Sequence, residues 1–384
     1  MKNVYLDNNA TTQVAPEVIS AMLPYFGEQY GNPSSMHTFG GQVADAVEKA
    51  REHVAKLIGA KPDEIIFTGS GSESDNTAFW SAIKSQPEKR HIVTSRVEHP
   101  AVLNVCQYWE REGYHISYIG VDEKGRLNME EYEKALTPDT ALVSIMFANN
   151  EVGNVYPIQE LSRLAHERGI LFHTDAVQAV GKVDIDLSQM PVDMLSLSGH
   201  KINAPKGIGA LYVRKGVRFR PFVRGGHQEK GRRAGTENVP YIVALGTAAE
   251  LSLRYIDDER KKVAELRDKL EKGLLESIPD SRVNGDIASR LPNTTNISFK
   301  NVEGEAILLM LDRLGIAASS GSACTSGSLE PSHVLRAMGV PFNYAHGSIR
   351  MSLSRFTTDS DITYVLKDFP QVIETLRAIS PFKD

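Results

Sequence analysis

Cysteine is almost missing from this chain, at two of 384 residues. That excludes a disulfide framework and a metal site built from cysteines alone, and it makes a reducing cytoplasm the expected compartment. Long apolar runs are missing as well. The strongest, from 306 to 311, is cut by Asp312 and Arg313, far short of a membrane span. The opening Met1-Lys-Asn-Val-Tyr-Leu-Asp-Asn-Asn has no apolar signal core. Neither sign of charge dominates: 43 Lys and Arg face 48 Asp and Glu, interspersed, for a net charge of −5. Such a balance points to no nucleic-acid face and no anionic-membrane anchor. What remains, 41% apolar and 24% charged residues, is an ordinary globular composition with length for two or three domains.

From about 60 to 215 strand and helix patterns alternate. Strands are expected over 64–67, 91–95, 141–147, from 169 to about 173, and over 192–197. Helices are expected over 73–84, 100–111 and 158–168 between them. Alternation of this kind predicts an α/β fold with a mostly parallel sheet covered on both faces. A long charged amphipathic helix over 257–277 then leads to strands at 295–299 and 347–353 and helices at 304–314, 332–338 and 358–376. We therefore expect a large domain over 15–256. A smaller α+β domain would be built from 1–14 and 257–384.

Ligands of open α/β sheets bind outside the carboxyl ends of the strands, and the polar residues expected there form a set. Ser198-Gly199-His200-Lys201 follows the last strand of the alternation. A lysine at that place, desolvated or beside a cation, has the lowered pKa that Schiff-base chemistry needs; the alternative is a solvated loop lysine. Gly69-Ser70-Gly71-Ser72 opens a helix and suits a phosphate, although glycine turns are common and no Gly-Lys-Ser/Thr ending points to ATP. Asp175 could pair with a protonated pyridine nitrogen, or serve as a turn aspartate. His99 could stack on an aromatic ring and shuttle protons, or be structural. Asn150 and Gln178 could donate to a phenolic oxygen, or satisfy loop backbone. Jointly, with the lysine, these residues describe a pyridoxal phosphate (PLP) site.

A second active element is the small-residue loop around Cys324, about 318–332. A thiol that packs against little is better explained by its reactivity than as an incidental exposed thiol. Cys106, by contrast, shares a helical face with Val102, Val105 and Trp109 and reads as core filler. Arg350 and Arg355 are five apart on one strand pattern, so they point to opposite faces. Arg350 is the candidate for a substrate carboxylate and Arg355 for a rim charge.

These motifs together resemble the cysteine desulfurases, closest to the NifS/IscS group, of the fold-type I (aminotransferase class V) PLP enzymes. The resemblance runs from Tyr5-Leu-Asp-Asn-Asn-Ala-Thr-Thr12 through Tyr30-Gly-Asn-Pro-Ser-Ser35, Val97-Glu-His-Pro100, Asn149-Asn-Glu-Val-Gly153 and His173-Thr-Asp-Ala-Val-Gln178. It continues through Ser198-Gly-His-Lys201, Arg232-Arg-Ala-Gly-Thr236 and Ser320-Gly-Ser-Ala-Cys324 to Arg350-Met-Ser-Leu-Ser-Arg-Phe356. It implies a seven-stranded large domain, a homodimer, and a covalent link of the cofactor to Lys201. Gly71, Ser72, Ser198 and His200 would hold the phosphate, with Thr236 reaching in from the other subunit. Asp175 would bind the ring nitrogen, His99 would stack on the ring, and Asn150 and Gln178 would contact its phenolic oxygen. Asn32 and Arg350 would hold the substrate carboxylate. The reaction implied converts L-cysteine to L-alanine, with Lys201 moving the Cα proton and Cys324 taking the sulfur as a persulfide. An iron–sulfur scaffold or another sulfur-acceptor protein would receive it. A selenocysteine lyase, or another β-eliminating lyase of the same fold, is the alternative, and no metal, nucleic acid or membrane partner is implied. Ser72 stands where many relatives have threonine and Ser354 where glycine is frequent.

Overall fold

Short apolar runs with no polar alternation form strands only where both faces of the sheet are covered, and the chain places them so. A computed structural model describes residues 2–320 and 331–380. After a short β1 (Val4–Tyr5) come β2 (Ile65–Thr68), β3 (His91–Ser95), β4 (His115–Ile119), β5 (Thr140–Ser144), β6 (Leu171–Asp175), β7 (Met194–Ser198) and β8 (Gly209–Val213). These seven make one sheet in the order β2-β8-β7-β6-β5-β3-β4. Its pairings are parallel except that β8 runs against both neighbours. Every residue of β2, β3, β5, β7 and β8 is buried.

The helices are α1 (Pro16–Met22), α2 (Pro24–Gly27), α3 (Thr38–Leu57), α4 (Gly71–Ser85), α5 (Pro100–Arg111), α6 (Met129–Ala135), α7 (Ile158–His166) and α8 (Val239–Ser277). They continue with α9 (Gly304–Arg313), α10 (His333–Ala337), α11 (Phe342–Ala345) and α12 (Asp359–Ile379). Helix α4 starts where Ser70 accepts from the Glu73 N–H, and α5 where His99 accepts from the Ala101 N–H with Pro100 in the first turn. A smaller sheet, β9 (Ser281–Val283), β10 (Thr294–Phe299) and β12 (Ser348–Ser352), is antiparallel, and β11 (Ile316–Ala317) pairs in parallel with β1.

Helix α8 begins well before 257 and runs unbroken through that position. The expected division there falls inside a continuous helix, because Val239 to Leu251 and Val263 to Leu274 present apolar residues to different cores. The second core gathers Val4, Leu6, Phe299, Ile349 and Phe369 around the later half of the helix. Helices α10 and α11, placed by sequence in the small domain, pack Val334, Leu335 and Ala345 into the first core instead. Cys106 is fully buried in a third cluster with Val102, Val105 and Trp109, and burial pushes its thiol pKa far up. Among the described residues, no helix is long and apolar enough to cross a membrane.

The segment after β8 is tied down by one buried ion pair. Arg51 Nη1 and Nη2 reach Glu229 Oε2 and Oε1 at 2.8 and 2.9 Å, and Glu229 Oε2 also accepts from the Phe67 N–H at 3.0 Å. Arg51→Ala leaves that carboxylate buried without its cation. We expect a loss of about 3–5 kcal/mol in urea unfolding; a loss below about 1 kcal/mol would show the pair to be idle.

Candidate active site

The carboxyl ends of β6 and β7 carry the site. Side chains two apart on a strand share a face, so His173 lies buried one step below Asp175, the last residue of β6. Asp175 Oδ1 accepts from the Val177 N–H at 2.9 Å. Burial raises its pKa, while His99, that N–H and Lys201 favour its charged form. From the end of β7 a single 3-10 turn (Gly199–Lys201) delivers the lysine. The turn needs glycine at 199, since a Cβ there would meet Ile208 Cγ2 at 2.8 Å and Ala204 Cβ at 3.1 Å.

Lys201 Nζ donates to the carbonyl of Asn9 and, at 2.8 Å, to that of Ala10. Desolvation first, then the Arg350 cation, lowers its pKa to about 8, against the pull of Asp175 and Asp7. Burial and the neighbouring lysines bring His200 down to about 4, and its Nδ1 lies 3.2 Å from Thr11 Oγ1. His99 opens onto the cavity, with Nδ1 occupied by the Ala101 N–H at 3.1 Å and its pKa lowered chiefly by desolvation.

One cavity of about 600 Å3 gathers Gly71, Ser72, His99, Asn150, Asp175, Gln178, Ser198, His200, Lys201 and Arg350. Gln178 Nε2 donates to the Asn9 carbonyl at 2.9 Å, and its Oε1 accepts from Lys182 at 3.2 Å. Arg350 Nη2 holds Asp7 Oδ1 at 2.7 Å and Nη1 reaches the Asn150 carbonyl at 3.0 Å, while its buried Nε has no partner among the described residues. Arg355 stays outside the cavity lining, over the rings of Tyr255 and Phe356.

Asn32 and Thr236 do not line this chain's cavity, although only Asn32 was expected there from the same chain. Asn32 is exposed, its Oδ1 accepts from the Ser34 N–H at 2.9 Å, and it does not line the cavity. Thr236 is exposed and also outside the lining. Cys324 lies outside the described residues. The chain leading to it is held at the cavity, where Ser319 and Ser320 form part of the wall and Ser319 pairs with Arg350 through backbone bonds. On the far side Ser332 donates to Glu151 and His333 Nε2 sits 2.9 Å from the Glu98 carbonyl.

Sequence reasoning gave no role to Asn9, Asp7, Asp75 or Arg233. Asn9 is a junction: its side chain bonds the Asn150 carbonyl, Thr294 and Asn293, and its carbonyl receives Gln178 and Lys201. The run 5–12 carried the resemblance, so it was the available signal for both Asn9 and Asp7. Arg233 grips Glu73 at 2.8 and 3.2 Å, and Glu73 Oε2 takes the Gly69 N–H at 2.8 Å, which fixes the glycine loop.

The donor set fits PLP. A buried carboxylate that accepts one backbone N–H, from Val177, suits a protonated ring nitrogen. The first amides of α4, unpaired by helix geometry, suit a phosphate together with Ser72, Ser198 and His200. A Cβ on Gly71 would come within 2.7 Å of Val177 Cγ2, so the cradle is shaped for glycine.

The chain belongs to the aminotransferase class-V family, whose model matches residues 4–365. It is 62% identical to a cysteine desulfurase of Nostoc sp. over its whole length and 96% of the relative. It is 58% identical to the cysteine desulfurase NifS of Azotobacter vinelandii, covering 100% of this chain and 95% of that one. A solved NifS-like protein superposes with a TM-score of 0.92 at 39% identity, over 98% of this chain and 100% of the other. A structure titled SspA in complex with cysteine follows at 0.83 and 37%, over 93% and 100%. Identity on that scale places the chain among the cysteine desulfurases, PLP-dependent sulfurtransferases.

Only the neutral amine of Lys201 can condense with an aldehyde, and the neutral fraction rises with pH through its pKa. In cofactor-free protein, the yield of borohydride-fixed pyridoxal phosphate on Lys201 should rise with a midpoint of about 8. A midpoint near 10.4, that of a free lysine, would show the amine to be solvated.

Proposed function

We propose that this chain draws sulfur from L-cysteine through Lys201 and Cys324 and releases L-alanine. The observation that carries the reading is the pairing, in one cavity, of a desolvated amine with a buried carboxylate beside the base of the cysteine loop. Lys201 would anchor the cofactor and, as a neutral base, take the proton from the substrate Cα. Bound PLP supplies an electron sink for the charge left at Cα. Asp175 keeps the ring nitrogen protonated by offering it a fixed negative charge. Neutral His99, with Nδ1 spent on the Ala101 N–H, presents Nε2 for proton exchange on the substrate side. Arg350, its Nε unsatisfied, offers a donor to the substrate carboxylate.

The Cys324 thiolate attacks the substrate Sγ. The Cβ–Sγ bond breaks, its electron pair stays on carbon, and protonation of that carbon yields alanine while the persulfide remains on Cys324. Ser319 and Ser320, five and four residues before Cys324, stand in the cavity wall. Thr236, exposed and outside its own cavity, is suited to complete the site of a second copy in a homodimer. The persulfide then passes to an acceptor, an iron–sulfur scaffold or another sulfur-receiving protein, in a reducing cytoplasm. The solved relative titled as a complex with cysteine supports the choice of substrate.

Cys324→Ala separates this reading from a selenocysteine lyase or other β-eliminating lyase. Sulfide release from L-cysteine under reductant should fall by a factor on the order of 10² or more, and the added sulfur on the loop peptide should vanish from its mass spectrum. Turnover retained in the variant would make the chain a lyase.

A further inference from the structure

Beneath Asp175 lies a second carboxylate. Asp75 sits four residues after Gly71 on α4, on the same helix face, and lines the same cavity with 1% of its surface exposed. The groups around it come from three elements. Strand β6 contributes Asp175 and His173, β7 contributes Ser196, and the turn before α5 contributes Glu98.

None of these neighbours offers Asp75 a positive charge. His173 Nε2 is 3.6 Å from Asp75 Oδ1, but its two ring nitrogens already meet Ser144 Oγ and Ser196 Oγ, each at 2.9 Å. Burial lowers the His173 pKa to about 3, so the ring stays neutral. Asp75 Oδ1 has no hydrogen-bond partner among the described residues. Burial, Asp175 and Glu98 all oppose charge on Asp75, with the Ser196 hydroxyl as the one opposing influence. Asp175 by contrast has the Val177 N–H, His99 and Lys201 in its favour. Where two carboxylates share a dry pocket and one holds the compensating groups, the proton goes to the other.

We propose that Asp75 stands under Asp175 as an uncharged acid, a positioning residue whose neutrality leaves Asp175 the one negative charge of the pair. The inference deepens the function proposed above and rests on it. A second charge there would draw Lys201 toward its protonated form, as Asp175 already does in part. The neutral acid spares the lysine that pull while leaving the ring nitrogen its counter-charge.

The test is read first in cofactor-free protein by infrared spectroscopy at neutral pH. Glu98 is itself pushed up to about 8, so Glu98→Gln is the background. Adding Asp75→Asn to it should remove one protonated-carboxyl band; an unchanged band pattern overturns the proposal without touching the sulfur chemistry. In the loaded protein, Asp75→Asn should leave the pKa of the visible absorbance of the lysine-bound cofactor within about half a unit of wild type. A fall of a unit or more would show that Asp75 had carried charge. Should the variants fail to fold, NMR of carboxyl-labelled aspartate in the wild-type chain serves instead. It should show an aspartate beside the cavity that stays protonated through the neutral range, and complete ionisation of every aspartate there would refute the assignment.

Discussion

An amine kept out of water is the constraint around which the rest of this site is arranged. A lysine in solution is protonated at neutral pH and is neither a nucleophile nor a base. Lys201 escapes that state because a mostly parallel sheet, buried on both faces, ends beside it and removes its solvent, and because Arg350 adds a repelling cation. Neither effect acts alone, since Asp175 and Asp7 work in the opposite sense. The depressed pKa of the amine is the balance of burial and one cation, Arg350, against two carboxylates, Asp175 and Asp7.

The same balance explains why so many site residues have a structural partner as well as a chemical task. Arg350 neutralises Asp7 while keeping an unspent Nε, Gln178 braces the Asn9 carbonyl, and His99 caps α5 with one nitrogen while the other faces the cavity. Each side chain is oriented by the first bond so that the second atom is presented at a fixed place. For these residues the structural bond leaves room for the task proposed for each.

Much of the large sheet was legible because buried strands leave short apolar runs, as at 91–95 and 192–197, and polar residues clustered where those runs stop. Strand β8 escaped notice because Gly209 to Val213 follows a turn with no helix between, breaking the strand–helix rhythm. Helix α3 was passed over although Val43, Val47, Ala50 and Val54 keep a helical period. Its neighbours Gly40 and Gly41 dilute the signal. Of the site, the lysine, aspartate and histidine could be inferred from place and type. Asp75 could not, because a helix position four after a glycine says nothing about which strand end it will face. Asn9 could not either, since its main contribution is a backbone carbonyl, which any residue type supplies.

The strap that receives the lysine is made from the first dozen residues, and it is docked by partners near the other terminus: Val4 pairs with Ile316, and Asn9 is held by Thr294 and Ser352. Sequence-distant contacts of this kind form late in folding. On the ribosome, the amine's carbonyl acceptors can be docked fully only after Ser352 has emerged. A shorter chain lacks the docked strap, and with it the part of the pocket wall formed by Asn9 and Ala10.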